Sequence, residues 1–151
     1  MLADLTGYFL TWSTYGTWLP GDERGWILHE DGWQKPDPVR ELESKARMKE
    51  DACLLEEAQR QAVNVQIEET CSHRGWTLHA VNFRTNHVHV VVFAPGAKPD
   101  KVTKDLKSWA TRRLKEINPT RMNWWAERGS MRQLYGEEAL LETIEYVLER
   151  Q

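Results

Sequence analysis

Asn86-His87-Val88-His89-Val90-Val91-Val92-Phe93, closed by Ala94-Pro95-Gly96, is the stretch on which the fold turns. Its β-branched content predicts a strand, and strand side chains alternate between faces. His87, His89 and Val91 therefore share one face, and Val88, Val90 and Val92 the other. Two imidazoles on one sheet face, two residues apart, can hold one divalent metal ion. The plainer reading is a strand with half-exposed histidines, because two ligands alone do not make a site.

The chain has 151 residues, enough for one domain with a real core, and 40% apolar with 28% charged residues is the balance of a globular protein. No apolar run approaches the roughly 18 residues of a membrane helix. Met1-Leu2-Ala3-Asp4 does not resemble a secretory signal, so a cytoplasmic location is expected. Cys53 and Cys71 read as small core fillers on a shared helix, too far apart for a disulfide. The net charge is −3, yet residues 98–134 hold ten Lys and Arg against four Asp and Glu, a local balance of +6. That segment reads either as a phosphate track or as a solvated helix face.

Working outward, Tyr8–Tyr15 is aromatic and β-branched and predicts a strand. An insertion at about 16–48 follows, rich in Pro and Gly through Pro38, and Trp18, Trp26 and Trp33 predict that it is ordered by packing or stacks on bases. Helical spacing runs from about Met48 to His73, a strand covers Trp76–Phe83, and Arg84-Thr85-Asn86 turns into the histidine strand. A second amphipathic helix spans roughly Lys98–Ile117, Gly129–Tyr135 is a weaker strand, and Glu137–Arg150 a last helix. Six of these elements spell βαββαβ, so the fold class expected is α+β, a ferredoxin-like (RNA-recognition-like) sandwich with a long insertion after its first strand. In that topology the histidine strand is central, with helices on one face and His87 and His89 on an open one.

In the last helix, Leu140, Leu141, Ile144, Val147 and Leu148 form an apolar stripe, and Tyr146 falls roughly opposite its centre at about 100° per residue. A tyrosine off the stripe is either a plain surface residue or a functional one. Beside a metal-binding histidine pair, a phenolate attacking a phosphodiester is coherent chemistry, displacing a sugar 3′-hydroxyl and leaving a 5′-phosphotyrosine.

His87-Val88-His89 in an apolar strand, with one tyrosine on a C-terminal helix, resembles the His-hydrophobic-His endonucleases of the single-tyrosine branch. The chain is similar to transposases of the IS200/IS605 type and more so to REP-associated tyrosine transposases. The resemblance extends through Thr11–Gly21, Trp124-Trp125, Gly129–Arg132 and Tyr146–Gln151. It implies a single transposase-like domain over 1–151, cleaving and rejoining single-stranded DNA beside an imperfect hairpin. His87 and His89 would ligate Mg²⁺ or Mn²⁺, and Tyr146 would be the nucleophile. Relatives of the insertion-sequence type are often dimers, whereas REP-associated ones can act as monomers, so a homodimer is one expectation. The resemblance also implies a polar ligand from the tyrosine helix, often a glutamine one turn after the tyrosine. That position is Arg150 here, and the glutamine is Gln151, which an intact helix turns about 140° away from Tyr146, so the third ligand stays open between Gln151, a glutamate (Glu149 or Glu142) and water.

DNA-contacting residues expected from charge and placement are Lys104, Lys107, Arg112, Arg113 and Arg132. Two rival readings share the fold: a catalytically silent single-stranded or hairpin nucleic-acid-binding module, and a metal-dependent hydrolase using bound water. Neither requires Tyr146.

Overall fold

A computed structural model describes residues 3–28 and 31–149, with Arg128 described by its backbone alone. The order is β1 (Leu5–Thr14), β2 (Trp26–Leu28), β3 (Gly32–Gln34), α1 (Pro38–Ala46), α2 (Glu57–Arg74), β4 (Thr77–Phe83), β5 (His87–Phe93), α3 (Pro99–Ile117), β6 (Trp125–Tyr135) and α4 (Glu137–Glu149). The main sheet is antiparallel in the order β4-β5-β1-β6, the ferredoxin-like α+β arrangement, with the histidine strand central as its sequence predicts. No helix among the described residues is long and apolar enough to cross a membrane.

The alternation along β5 divides the molecule. Val88, Val90 and Val92 join Tyr8, Leu10 and Trp12 of β1 in a core closed by Val63 and Ile67 of α2 and by Val102, Leu106 and Leu114 of α3. The opposite face is only partly open, because α4 crosses it. Val147 packs there against Val91, Ala80 and Leu134 in a second, smaller core.

Three sequence expectations change. The insertion carries its own small sheet, β2 paired with β3, and helix α1, seated on Asp37, whose side chain accepts from the Arg40 amide. Its tryptophans serve packing in part: Trp26 is buried, its indole N–H donating to Lys35 O, and the Trp18 N–H donates to Gly25 O. Trp18 and Trp33, however, keep exposed rings. Next, α2 begins nine residues later than the periodicity predicts. Residues 51–56 form no helix, and two of their amides are claimed elsewhere, Cys53 N–H by Tyr15 O and Leu55 N–H by Thr85 O. Cys53 thus lies outside the helix that holds Cys71, and both are buried free thiols. Finally, β6 starts at Trp125, not at Gly129, and Gly129 lies hard against β1: a Cβ there would strike the Thr11 carbonyl and the Trp12 side chain.

The apolar stripe of α4 is also turned. Leu141 and Leu148 are 56% and 55% exposed, and the sheet-facing set is Leu140, Thr143, Ile144 and Val147. At about 100° per residue that shifts the stripe's centre by about 50° and leaves Tyr146 on its flank, about 110° from the centre. Val147→Ala is accordingly expected to cost about 2 kcal/mol in urea unfolding, whereas Leu148→Ala stays within about 0.5 kcal/mol.

Candidate active site

His87 and His89 stand side by side on β5, their ring centroids 4.8 Å apart and their planes nearly perpendicular. Each Nδ1 is engaged by a neighbour. His87 Nδ1 donates to Asn86 Oδ1 at 2.7 Å, and His89 Nδ1 lies 2.9 Å from the Thr11 hydroxyl. Thr11 is in position because β1 pairs with β5 in a register that sets Thr11 opposite His89. These contacts fix both ring planes and leave Nε2 of each as the nitrogen free to bind a ligand.

Desolvation lowers the pKa of both imidazoles. His89 falls to about 4, chiefly from burial and then from the charges of His87 and Arg84; His87 is lowered by burial and by Arg84. Both rings are therefore neutral at pH 7, the form whose lone pair binds metals.

Phe9 is the hub of the site. His89 stacks on it at 5.5 Å, Tyr146 meets it edge-on at 6.1 Å, and the Arg132 guanidinium lies 5.5 Å from its ring centroid. Tyr146 also meets His89 edge-on at 6.1 Å and keeps 43% of its surface exposed. Asn82, the β4 residue opposite His89, donates from Nδ2 to Val147 O at 2.9 Å and ties the last turn of α4 to the sheet. The helix end carrying Tyr146 is thus anchored one strand away from the histidines.

Two neutral, oriented nitrogens could supply two ligands to a divalent cation and leave its further positions to water or phosphate oxygens, and a hard ion such as Mg²⁺ or Mn²⁺ would depend on those oxygens, imidazole being the softer donor. Among the described residues no third His, Cys, Asp or Glu gathers with the pair, so neither Glu149 nor Glu142 completes a three-donor group. Gln151 and Arg150 lie outside the described residues.

Of the five cations expected to contact DNA, only Arg132 reaches this face. Lys104, Lys107, Arg112 and Arg113 belong to α3, which packs on the opposite side of the sheet. Lys107 donates to Ala126 O at 3.1 Å, and burial lowers its pKa. Arg113 is held by Gln66 and by Glu69 at 2.7 Å, and Arg112 lies over the Trp109 ring. Only Lys104 among the four is exposed without a described partner. Phe9, Thr11 and Asn82 were not readable as site residues, their one signal being two-residue register with the histidine strand, which needs the strand pairing first; Thr143 carries no such signal, because its place depends on how α4 is turned.

Because His89 titrates lower in the folded chain than at its ordinary 6.5, the unfolded chain takes up the proton first as pH falls. The metal-free protein should hold this share of its stability above pH 6.5 and lose it between 6.5 and about 4. Urea unfolding at pH 7 and 4.5 checks this: wild type should lose more stability across that interval than His89→Gln.

Comparison with known proteins matches residues 46–147 to the family described as Transposase IS200 like. No curated protein matches the chain. Among solved structures, the fold is shared with a REP-associated tyrosine transposase bound to a REP hairpin, at TM-score 0.56 and 13% identity, covering 97% of this chain and 67% of that one. It is shared too with a candidate transposase from Deinococcus radiodurans R1, at TM-score 0.52 and 17% identity, covering 98% of this chain and 92% of the other. With its histidine strand, its tyrosine helix and a family match over about two thirds of its length, the chain belongs to the IS200-like transposase family.

Proposed function

We propose that the protein is a metal-dependent single-stranded DNA endonuclease and strand transferase, acting in the cytoplasm beside hairpin DNA through a 5′-phosphotyrosine. The observation that carries this reading is the position of Tyr146: an exposed phenol, 6.1 Å ring to ring from His89 and attached to the same Phe9. A binding module, or a hydrolase using water, has no need of that residue. The REP hairpin held by a structure of the same fold suggests the kind of DNA to try first.

In this reading His87 and His89 hold Mg²⁺ or Mn²⁺ through Nε2, with Asn86 and Thr11 each accepting the Nδ1–H that keeps the ring in the ligating tautomer. Gln151 remains a candidate for the third ligand. The ion, when bound, supplies Lewis-acid polarisation of the scissile phosphate. Tyr146 Oη forms the bond to phosphorus, and the bond from phosphorus to O3′ breaks. The phenolic proton leaves to solvent and the departing O3′ takes one up, giving a free 3′-hydroxyl. One ester replaces another, so a 3′-hydroxyl can reverse the step and rejoin DNA with no outside energy source.

Incubation with host-genome hairpin DNA and Mn²⁺, followed by denaturing electrophoresis, should reveal a covalent adduct that disappears in Tyr146→Phe. Failure of every such hairpin to yield an adduct would leave the binding-module reading in its place. An adduct from Tyr146→Phe would mean another nucleophile. In a separate titration of the protein alone, Thr11→Val should weaken Mn²⁺ binding by about 10–100-fold, the usual cost of losing a group that orients a ligand.

A further inference from the structure

Arg132 lies on the tyrosine side of the sheet, and no described carboxylate pairs with its guanidinium. It faces Phe9 across the β1–β6 pairing, and its guanidinium lies 5.5 Å from the Phe9 ring centroid. A single hydrogen bond restrains it, from Nη2 to Thr143 Oγ1 at 3.3 Å. Thr143 is 3% exposed and its hydroxyl proton goes to Ala139 O, so the oxygen's lone pairs are what Arg132 meets. Thr143 lies one helical turn before Tyr146. By contrast, Arg24, Arg74 and Arg113 each make an ion pair with a carboxylate.

A guanidinium has five N–H donors, and this one spends a single donor on a described partner. The remaining edge is presented to solvent beside the ring that carries both His89 and Tyr146. Its aromatic seat and its bond to α4 hold it in register with the nucleophile, whichever way the rest of the DNA runs. The planar fork matches the non-bridging oxygens of a phosphodiester.

We propose that Arg132 is a catalytic residue, and not a distant backbone anchor: it grips the non-bridging oxygens of the phosphate that Tyr146 attacks. The inference rests on the transesterification proposed above. As the Tyr146 Oη to phosphorus bond forms and the phosphorus to O3′ bond breaks, negative charge grows on those oxygens, and a preorganised cation there stabilises the transition state more than the bound substrate.

Arg132→Gln should therefore slow single-turnover adduct formation by about 10²–10³-fold, the range for losing one preorganised donor to a developing oxyanion. Its affinity for the same hairpin should change by less than about threefold. Arg132→Lys should recover part of the rate. Thr143→Val, which removes the tether but keeps the guanidinium, should stay within about tenfold of wild type and so separates a charge effect from loosening of α4. A readout free of turnover uses metal-free Tyr146→Phe: the Arg132 side-chain Nε–H resonance should shift when the hairpin oligonucleotide is added. Equal losses in rate and affinity for Arg132→Gln, an unchanged rate, or a resonance that does not move would each overturn the assignment. A wild-type protein that forms no adduct would instead overturn the transesterification itself, and this assignment with it.

Discussion

Val88, Val90 and Val92 are fully buried between the sheet and the helix pair α2 and α3. Because a strand's side chains alternate, burying those three commits His87, His89 and Val91 to the other face. A slip of one residue would put two imidazoles into the core and move the three valines to the half-open histidine face, so the register of β5 is held by the hydrophobic energy of the whole helix layer. The site inherits that rigidity. The neighbours of the histidines then follow from pairing: Thr11 comes opposite His89, and Asn82 comes opposite it from the other side.

The second element of the site is held far less firmly. Helix α4 has its own small core of Val147, Leu140 and Ile144 against Val91, Ala80 and Leu134, supplemented by the Asn82 bond to Val147 O. Val91 couples the two cores, since it lies on the histidine face of β5 and is itself fully buried beneath α4. The helix must pack closely enough to aim Tyr146 yet keep that residue off the packed stripe. Turning the stripe towards Thr143 meets both needs, at the cost of leaving Leu141 and Leu148 exposed.

This rotation also marks how far sequence reasoning reaches. The β5 strand, the α+β order and the histidine pair were legible because each rests on local period, which the chain carries by itself. The direction of α4 was not, because Leu141 and Leu148 are as apolar as Leu140 and Ile144, and only the sheet decides which of them it covers. The start of α2 failed for a related reason: Ala52 and Leu55 fit a helical stripe, but the backbone of that segment is taken by Tyr15 and Thr85. The hairpin and helix of the insertion were hidden by its breakers, which as readily signal an irregular loop. Among catalytic candidates, Tyr146 was visible as an off-stripe aromatic, whereas Phe9 looks like any strand residue until its neighbours are known.

Charge shows the same division between composition and placement. The basic run at 98–134 invites a phosphate track along α3, yet two of its cations are spent inside the protein, Lys107 on Ala126 O and Arg113 on Glu69 and Gln66. For the chemistry proposed, the cation that would count most is the one whose neighbours are aromatic and hydroxyl, since an arginine tied to a carboxylate must break that pair before it can grip a phosphate. A protein of net charge −3 can thus serve a polyanion without a broad basic face. With few phosphate contacts, its affinity for single strands should depend only modestly on salt, at about 0.7 in log–log slope per contact. In the proposed function, recognition would then fall to base stacking and hairpin shape, for which the exposed rings of Trp18 and Trp33 are available on the insertion.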